Sequence, residues 1–516
     1  MRNSNSFVGI VSAFSVIGLL GLSAFAQAPA PQQNDNPPVA NCNVTPDTNQ
    51  ALKPPTIEPT PIDAKLLTSG QPCQQRVSTS GLAAGSGLAN LQRGFDFYSW
   101  LTFIALNSPA DGKAIGQGPR PGGDAMTKWE DLANYRPLAD VMLGDGSKPT
   151  WGTRVVPDQC KKLDGPGKIV LQLGEAAWNQ PFKSGPLIDQ NGNYAVFDIL
   201  MNKPMFDYIV ENDLYSRQGQ QKFSGFVKFP VGSAAAPNPP TATTAPGQMG
   251  AVMVKVSWRI LDPDKDKNLI GKFHTADALI YFPGPLPGGQ GTKTGPTCVE
   301  KKLGLIGFHV GHKTNFAPQW VWSSFEHIRN VPDEADVKSG KLLDGYSFYN
   351  KACKDCPHNL TPPDPWDPPK SLKFHSDYKS QVVRVSMLPQ PVIDEVADFN
   401  RKFHETLKGT VWENYELLTT QWPSDQASKT DCNGAPAPTY LANSTLETYS
   451  QGKSPLASSS CMACHGNATT QHVPAVPSDF TFILEKAQCV NGKCPTAPTV
   501  KTVSANDRCG LPIPPN

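Results

Sequence analysis

The sequence predicts an α+β fold: a large β-rich domain with flanking helices and many loops, and a small helical C-terminal segment packed on it. Three observations lead there. Several apolar segments in the middle of the chain carry β-branched residues in partial alternation, the pattern of strands. Helical character is concentrated in two stretches, near residues 95 and 400. The 51 prolines and 43 glycines among 516 residues break the chain into many loops.

The elements follow in chain order. Residues 1–26 read as a signal peptide: Arg2 supplies positive charge, Phe7 to Leu22 form a mostly apolar run, and Ala24-Phe25-Ala26 is a small-residue cleavage site. Residues 27–87 are rich in Pro, Ala and Gln and read as an extended arm with Cys42 and Cys73 as possible tethers. A mixed α/β main domain is expected over 88–425. In it, Phe95 to Leu106 is apolar on nearly all sides, so as a helix it must be buried. Tyr194 to Met201, Met249 to Leu261, Ala276 to Phe282 and Leu303 to His312 read as strands, and Gly232 to Gly247 as a surface loop. In Pro391 to Leu407, Val392, Val396, Phe399, Phe403 and Leu407 recur at helical spacing with charges between them, an amphipathic helix against a core. Residues 426–516 form the C-terminal segment. Within it Ser444-Thr445-Leu446-Glu447 resembles a capping box opening a short helix through Tyr449.

Charge and length exclude some roles. Lys plus Arg number 46 against 45 Asp plus Glu, and no basic cluster offers a footprint for nucleic acid or an anionic membrane. No segment after the signal approaches the ~18 consecutive apolar residues of a membrane span. The exported chain is therefore expected in the periplasm or outside the cell, with no integral membrane segment once the signal is cleaved.

Cys461-Met462-Ala463-Cys464-His465 carries the chemistry. Two thiols three residues apart followed at once by an imidazole suit covalent haem attachment: each cysteine forms a thioether to a vinyl group, and the histidine ligates iron. One covalent haem c is expected, held by Cys461 and Cys464, with His465 as proximal ligand. The other ten cysteines are an even set suited to disulfides in an oxidising compartment. They include Cys353-Lys354-Asp355-Cys356-Pro357-His358, where the proline displaces the histidine by one residue and favours a disulfide over a second haem. Zinc there lacks a second ligand pair. Phe480, Phe482, Ile483 and Leu484 provide apolar surface that excludes water from a macrocycle, and Cys432, Cys489, Cys494 and Cys509 are available to staple so small a module.

Five ordered blocks carry a family resemblance: FDFYSWLTFIALN near residue 95, AVMVKVSWRIL, LGLIGFHVGHKTNFAPQWVWSSFEHIRNVP from residue 303, STLETYSQGKSPLASSSCMACH, and SDFTFILEKA. Together they resemble poorly characterised bacterial secreted cytochrome c family proteins, with a large N-terminal domain and a single C-terminal CxxCH motif. The resemblance runs over roughly residues 90 to 487. It implies haem binding and electron-transfer capacity, and no particular substrate.

The second axial ligand is a separate question, because no methionine follows Met462. His472 is close but lies in a Pro-flanked stretch. His309 and His312, at the end of one apolar strand, are the candidate distal ligands; a period of two puts them on opposite faces, so only one can face a given haem. Met387, Met205, Met249, Met253 and His404 carry no distinguishing mark, and Trp320 with Trp322 project to one side of a strand as haem wall or core. Three functions fit. The leading one is a periplasmic cytochrome exchanging electrons with an unidentified redox partner. The alternatives are a haem oxidoreductase acting on a small molecule at an open iron site, with Glu326, His327 and nearby Trp as a relay, and a ligand-binding protein whose haem reports redox state. Whether the chain is an enzyme stays open, and no catalytic residue is assigned.

Overall fold

Period-two alternation and unbroken apolar runs build one large sheet, and the helices cover its faces. A computed structural model describes residues 55–56, 61–68, 70–74, 87–118, 125–173, 180–181, 184–233, 247–282, 296–315, 317–362, 378–424, 436–452 and 459–495, all within one unit. The signal peptide, most of the arm, residues 234–246, Cys42, Cys432 and Cys509 lie outside the described residues. The fold is α+β, as the sequence predicts. In order come α1 (Gly87–Asn107), β1 (Tyr135–Pro137), β2 (Ile169–Gln172), β3 (Val196–Asn202), α2 (Lys203–Glu211) and α3 (Arg217–Lys222). Strands β4 (Val252–Ile260), β5 (Thr275–Phe282), β6 (Thr297–Thr314) and β7 (Ala317–His327) follow, then α4 (Glu334–Ser339), α5 (Gln390–Thr406), β8 (Tyr415–Pro423), β9 (Pro436–Ala437) and α6 (Cys461–His465).

The strands form a nine-stranded sheet in the order β1-β3-β4-β6-β7-β8-β9. Strand β6 is long enough, at 18 residues, to pair with β4 along one edge and with β5 and then β7 along the other. All pairings are antiparallel except β2 with β5. Register decides what each face carries. Ile199, Lys255, His309 and Ser324 lie opposite one another across β3, β4, β6 and β7, so their side chains share one face. Val254, Phe308, Val310 and Phe325 point to the other.

Helix α1 covers that other face. Trp100 stacks on Phe403 of α5 at 4.5 Å and Phe103 stacks on Phe325 of β7 at 4.2 Å. Arg93, fully buried, clamps α1 to α5 through Glu395 and, at 2.9 Å, Asp398. The helix ends where Ser108 Oγ takes the Ile104 carbonyl and Pro109 removes a backbone donor. Part of the arm docks here: Thr56 N–H donates to Asp398 and Ile62 N–H to Thr406.

The C-terminal segment packs on the first face, over Met201, Met253, Trp320 and Trp322, together with α2 and α3. Among its described residues the regular structure is β9, α6 and two 3-10 turns, Phe482–Lys486 and Val490–Gly492. No helix among the described residues is long and apolar enough to cross a membrane.

The capping-box reading is corrected. Residues 444–449 form turns, not a helix. Ser444 is captured instead by the buried carboxylate of Glu326, which accepts its N–H at 2.6 Å as well as its hydroxyl. Asn443 takes over the cap, accepting from Thr445 N–H, while Glu447 reaches back to Asn443 N–H at 2.9 Å.

Candidate haem site

Ser460 starts α6 by accepting the Ala463 N–H on its hydroxyl, the ordinary N-cap arrangement. Within the single turn that follows, Cys461, Cys464 and His465 sit at i, i+3 and i+4 and so share a side. Both thiols are free of disulfides. The turn is fastened to the sheet by Gln421 of β8, whose Oε1 accepts Met462 N–H at 2.7 Å and Ser460 Oγ–H at 3.1 Å.

The orientation of His465 is set from both sides. Its Nδ1–H donates to the Phe480 carbonyl at 2.8 Å, which fixes the tautomer and leaves Nε2 without a hydrogen bond among the described residues. The ring lies 4.5 Å from Trp322 and 5.1 Å from Phe482 between centroids. The turn presenting Phe480 is strained: Asp479 and Phe480 have φ of 55° and 63°, and Trp320 beneath them 72°. Such a conformation costs on the order of 1–3 kcal/mol for a residue other than glycine.

Facing this turn, His309 and Lys255 rise from paired positions of β6 and β4. Gly307 and Gly311 occupy the same face on either side of His309. A side chain at 307 would collide with Thr445 and Ser257, and one at 311 with Met253, so the glycines let those groups close in around the imidazole. Glu447 completes the cluster, its Oε2 3.4 Å from His309 Nε2. That approach makes no hydrogen bond, and Nε2 is buried without one.

Cys461, Cys464, His465, Lys255, His309 and Glu447 are each half-buried, yet desolvation is the largest influence on the ionisation of all six. Burial pushes the Cys464 thiol up to about 11 and the Cys461 thiol well above its ordinary value, keeping both protonated. It lowers His465 to about 4 and His309 well below its ordinary value, so both imidazoles are neutral and able to ligate. Burial raises Glu447 to about 7, opposed by Lys255.

The other candidates are elsewhere. His312 lies on the opposite face of β6, fully enclosed, with Nδ1 hydrogen-bonded to Tyr98 Oη of α1. His472 bonds to the Pro474 carbonyl at 2.6 Å. His404 Nε2 donates to the Tyr415 carbonyl, and Met387 is exposed. His327 has both ring nitrogens engaged, with the Lys272 carbonyl and Arg329 N–H, and Glu326 is tied to Ser444 and Arg384. Cys353 and Cys356 are bonded to each other, as are Cys160 with Cys298 and Cys489 with Cys494; Cys73 is also disulfide-bonded. Among the described residues no group of three His, Cys, Asp or Glu side chains could hold a metal ion.

Sequence reading missed Lys255, Gln421 and the Asp479-Phe480 turn. Only Lys255 carried a signal, as the lone charge inside Val252-Met253-Val254-Lys255-Val256. Comparison of the chain with family models, curated proteins and solved structures finds no match.

The residues present fit a covalent haem. Two protonated, unpaired thiols lie on one side of a turn, one imidazole has Nδ1 tied and Nε2 without a hydrogen bond among the described residues, and a second imidazole with an unsatisfied buried nitrogen stands on β6.

Proposed function

We propose that this chain is a periplasmic c-type cytochrome in which Cys461 and Cys464 would hold one haem covalently and His465 and His309 would ligate its iron, and that it exchanges electrons with a redox partner. The observation that carries the reading is the hydrogen bond from His465 Nδ1–H to the Phe480 carbonyl, which leaves Nε2 without a hydrogen bond among the described residues while His309 of β6 lies near enough for the two imidazoles to influence each other's charge. Tying the outer nitrogen of a ligating histidine is the usual way a protein fixes ring orientation and raises basicity at the inner one. The resemblance to secreted cytochrome c family proteins points the same way.

When bound, the haem supplies a one-electron iron couple. The chain's own residues do the rest. Trp322 and Phe482 flank the His465 ring and exclude water from it. Lys255, paired with His309 across β4 and β6, places a positive charge near His309 and His465 alike. Two imidazoles favour a lower potential than an imidazole with a thioether, since methionine ligation raises it. Glu326 and His327, committed to structural bonds, give no support to an acid–base relay for oxidoreductase chemistry.

The test is mass and spectrum together. Protein exported in a host that matures c-type cytochromes should retain one haem after denaturation, and Cys461→Ser/Cys464→Ser should retain none. His309→Ala should become high-spin and bind carbon monoxide, whereas His312→Ala should keep the low-spin parent spectrum. A parent without covalent haem overturns the cytochrome reading; a low-spin His309→Ala protein overturns the ligand assignment.

A further inference from the structure

Six residues other than glycine hold a left-handed backbone among those described: Asp213, Trp320, Asn359, Asp479, Phe480 and Asn491. Asp and Asn adopt it readily; a bulky aromatic does not. The two aromatic cases, Trp320 and Phe480, are in the same place, and one hydrogen bond joins their turns: Trp320 Nε1–H donates to the Asp479 carbonyl at 3.0 Å. The Asp479 carboxylate is in turn gripped by Lys313 of β6, both side chains being almost wholly buried, and Oδ2 accepts Phe229 N–H at 2.7 Å. A buried ion pair is poor evidence of stabilisation, because desolvation offsets the attraction. Its attested use is to specify one arrangement, and here that arrangement ends in the carbonyl that His465 Nδ1–H meets.

We propose that Asp479 is a positioning residue that sets the reduction equilibrium of the haem by locking the strained 479–480 turn so that the Phe480 carbonyl stays on His465 Nδ1. This rests on the cytochrome reading above. A firm bond at Nδ1 makes the imidazole a stronger donor at Nε2, which favours ferric iron. Loosening the turn weakens that bond and favours ferrous iron. The same geometry explains why an aromatic residue tolerates a glycine-like conformation beside the motif: the turn is held by Lys313, Phe229 and Trp320 from three directions.

Two double variants of the haem-loaded protein separate this role from simple charge or packing, because both remove the same two charges. Lys313→Met/Asp479→Ala deletes the grip. Lys313→Met/Asp479→Asn keeps a residue at home in left-handed backbone that still accepts Phe229 N–H. Redox titration should show the alanine variant reduced more easily by at least tenfold, 59 mV for one electron, with a displaced His465 Nδ1–H resonance in paramagnetic NMR. The asparagine variant should stay within threefold of the parent. Should the alanine variant fail to load haem, Trp320→Phe, which changes no charge and removes the bond to the Asp479 carbonyl, should raise reducibility at least threefold. Equal behaviour of the two double variants, or a loaded Trp320→Phe protein with the parent potential and resonance, overturns the proposal. A parent without covalent haem overturns the cytochrome reading instead, before any variant is compared.

Discussion

Replacing Gln421 with alanine should release α6 from the sheet. The side chain is fully buried and makes three bonds: Oε1 accepts from Met462 N–H and Ser460 Oγ–H, and Nε2 donates to the Pro438 carbonyl at 2.9 Å. The Ser460 hydroxyl can rotate to another acceptor, but Met462 N–H and the Pro438 carbonyl are backbone groups left buried without partners. Each such group costs about 1–3 kcal/mol, so the loss is about 2–6 kcal/mol, and a water admitted into the vacated space brings it toward the lower figure. At about 1.4 kcal/mol per decade, the local opening constant rises at least about 30-fold. Hydrogen exchange read on peptides covering 459–467 measures that opening directly, with urea unfolding as the global check. Gln421→Glu retains the acceptor for Met462 N–H and should lose less. An alanine variant that costs under about 1 kcal/mol, or no more than glutamate, would refute the claim that Gln421 anchors the motif.

Three further outcomes follow from the fold. Asp96 is fully buried and receives Gln92 Nε2–H and Thr420 N–H, and burial raises its pKa from 3.8 to about 7. The unfolded chain therefore releases this proton at lower pH than the folded one, so stability from this group is full below about pH 4 and is lost as pH rises toward 7. The span is at most about 4 kcal/mol; urea unfolding of the parent and Asp96→Asn at pH 5 and 8 should show the difference between them shrinking or reversing at the higher pH, and a pH-independent difference would contradict it. Opening the Cys160–Cys298 bridge, which spans 138 residues, should destabilise by about 5 kcal/mol, against about 2 kcal/mol for Cys353–Cys356, only three apart, as compared by urea unfolding of the paired serine variants. Gly307→Ala places a methyl group against Thr445 and Ser257 and should cost about 1–3 kcal/mol by thermal unfolding, with neutrality showing that the 443–447 turn can withdraw from β6.

What the sequence determined by itself was local. The apolar helix around Phe95, the amphipathic helix from Pro391 and the strands around residues 196, 252, 275 and 303 were legible because periodicity of 3.6 or 2 is written in neighbouring residues. So was the side shared by Cys461, Cys464 and His465, which follows from one helical turn. Period two also separated His309 from His312, yet it could not say which face meets the motif. That was decided when α1 covered the Val310 side through Tyr98, Trp100 and Phe103, leaving the Lys255 side for a segment some 150 residues further on. Ser444 to Glu447 misled for the same reason: a local cap signal lost its serine to Glu326, a carboxylate 118 positions away. Gln421 under Met462 and Lys313 on Asp479 are likewise pairings across 41 and 166 positions. Nothing in the spacing of a chain encodes which distant group will satisfy a buried donor; only packing, which removes water and makes an unmet hydrogen bond expensive, selects it.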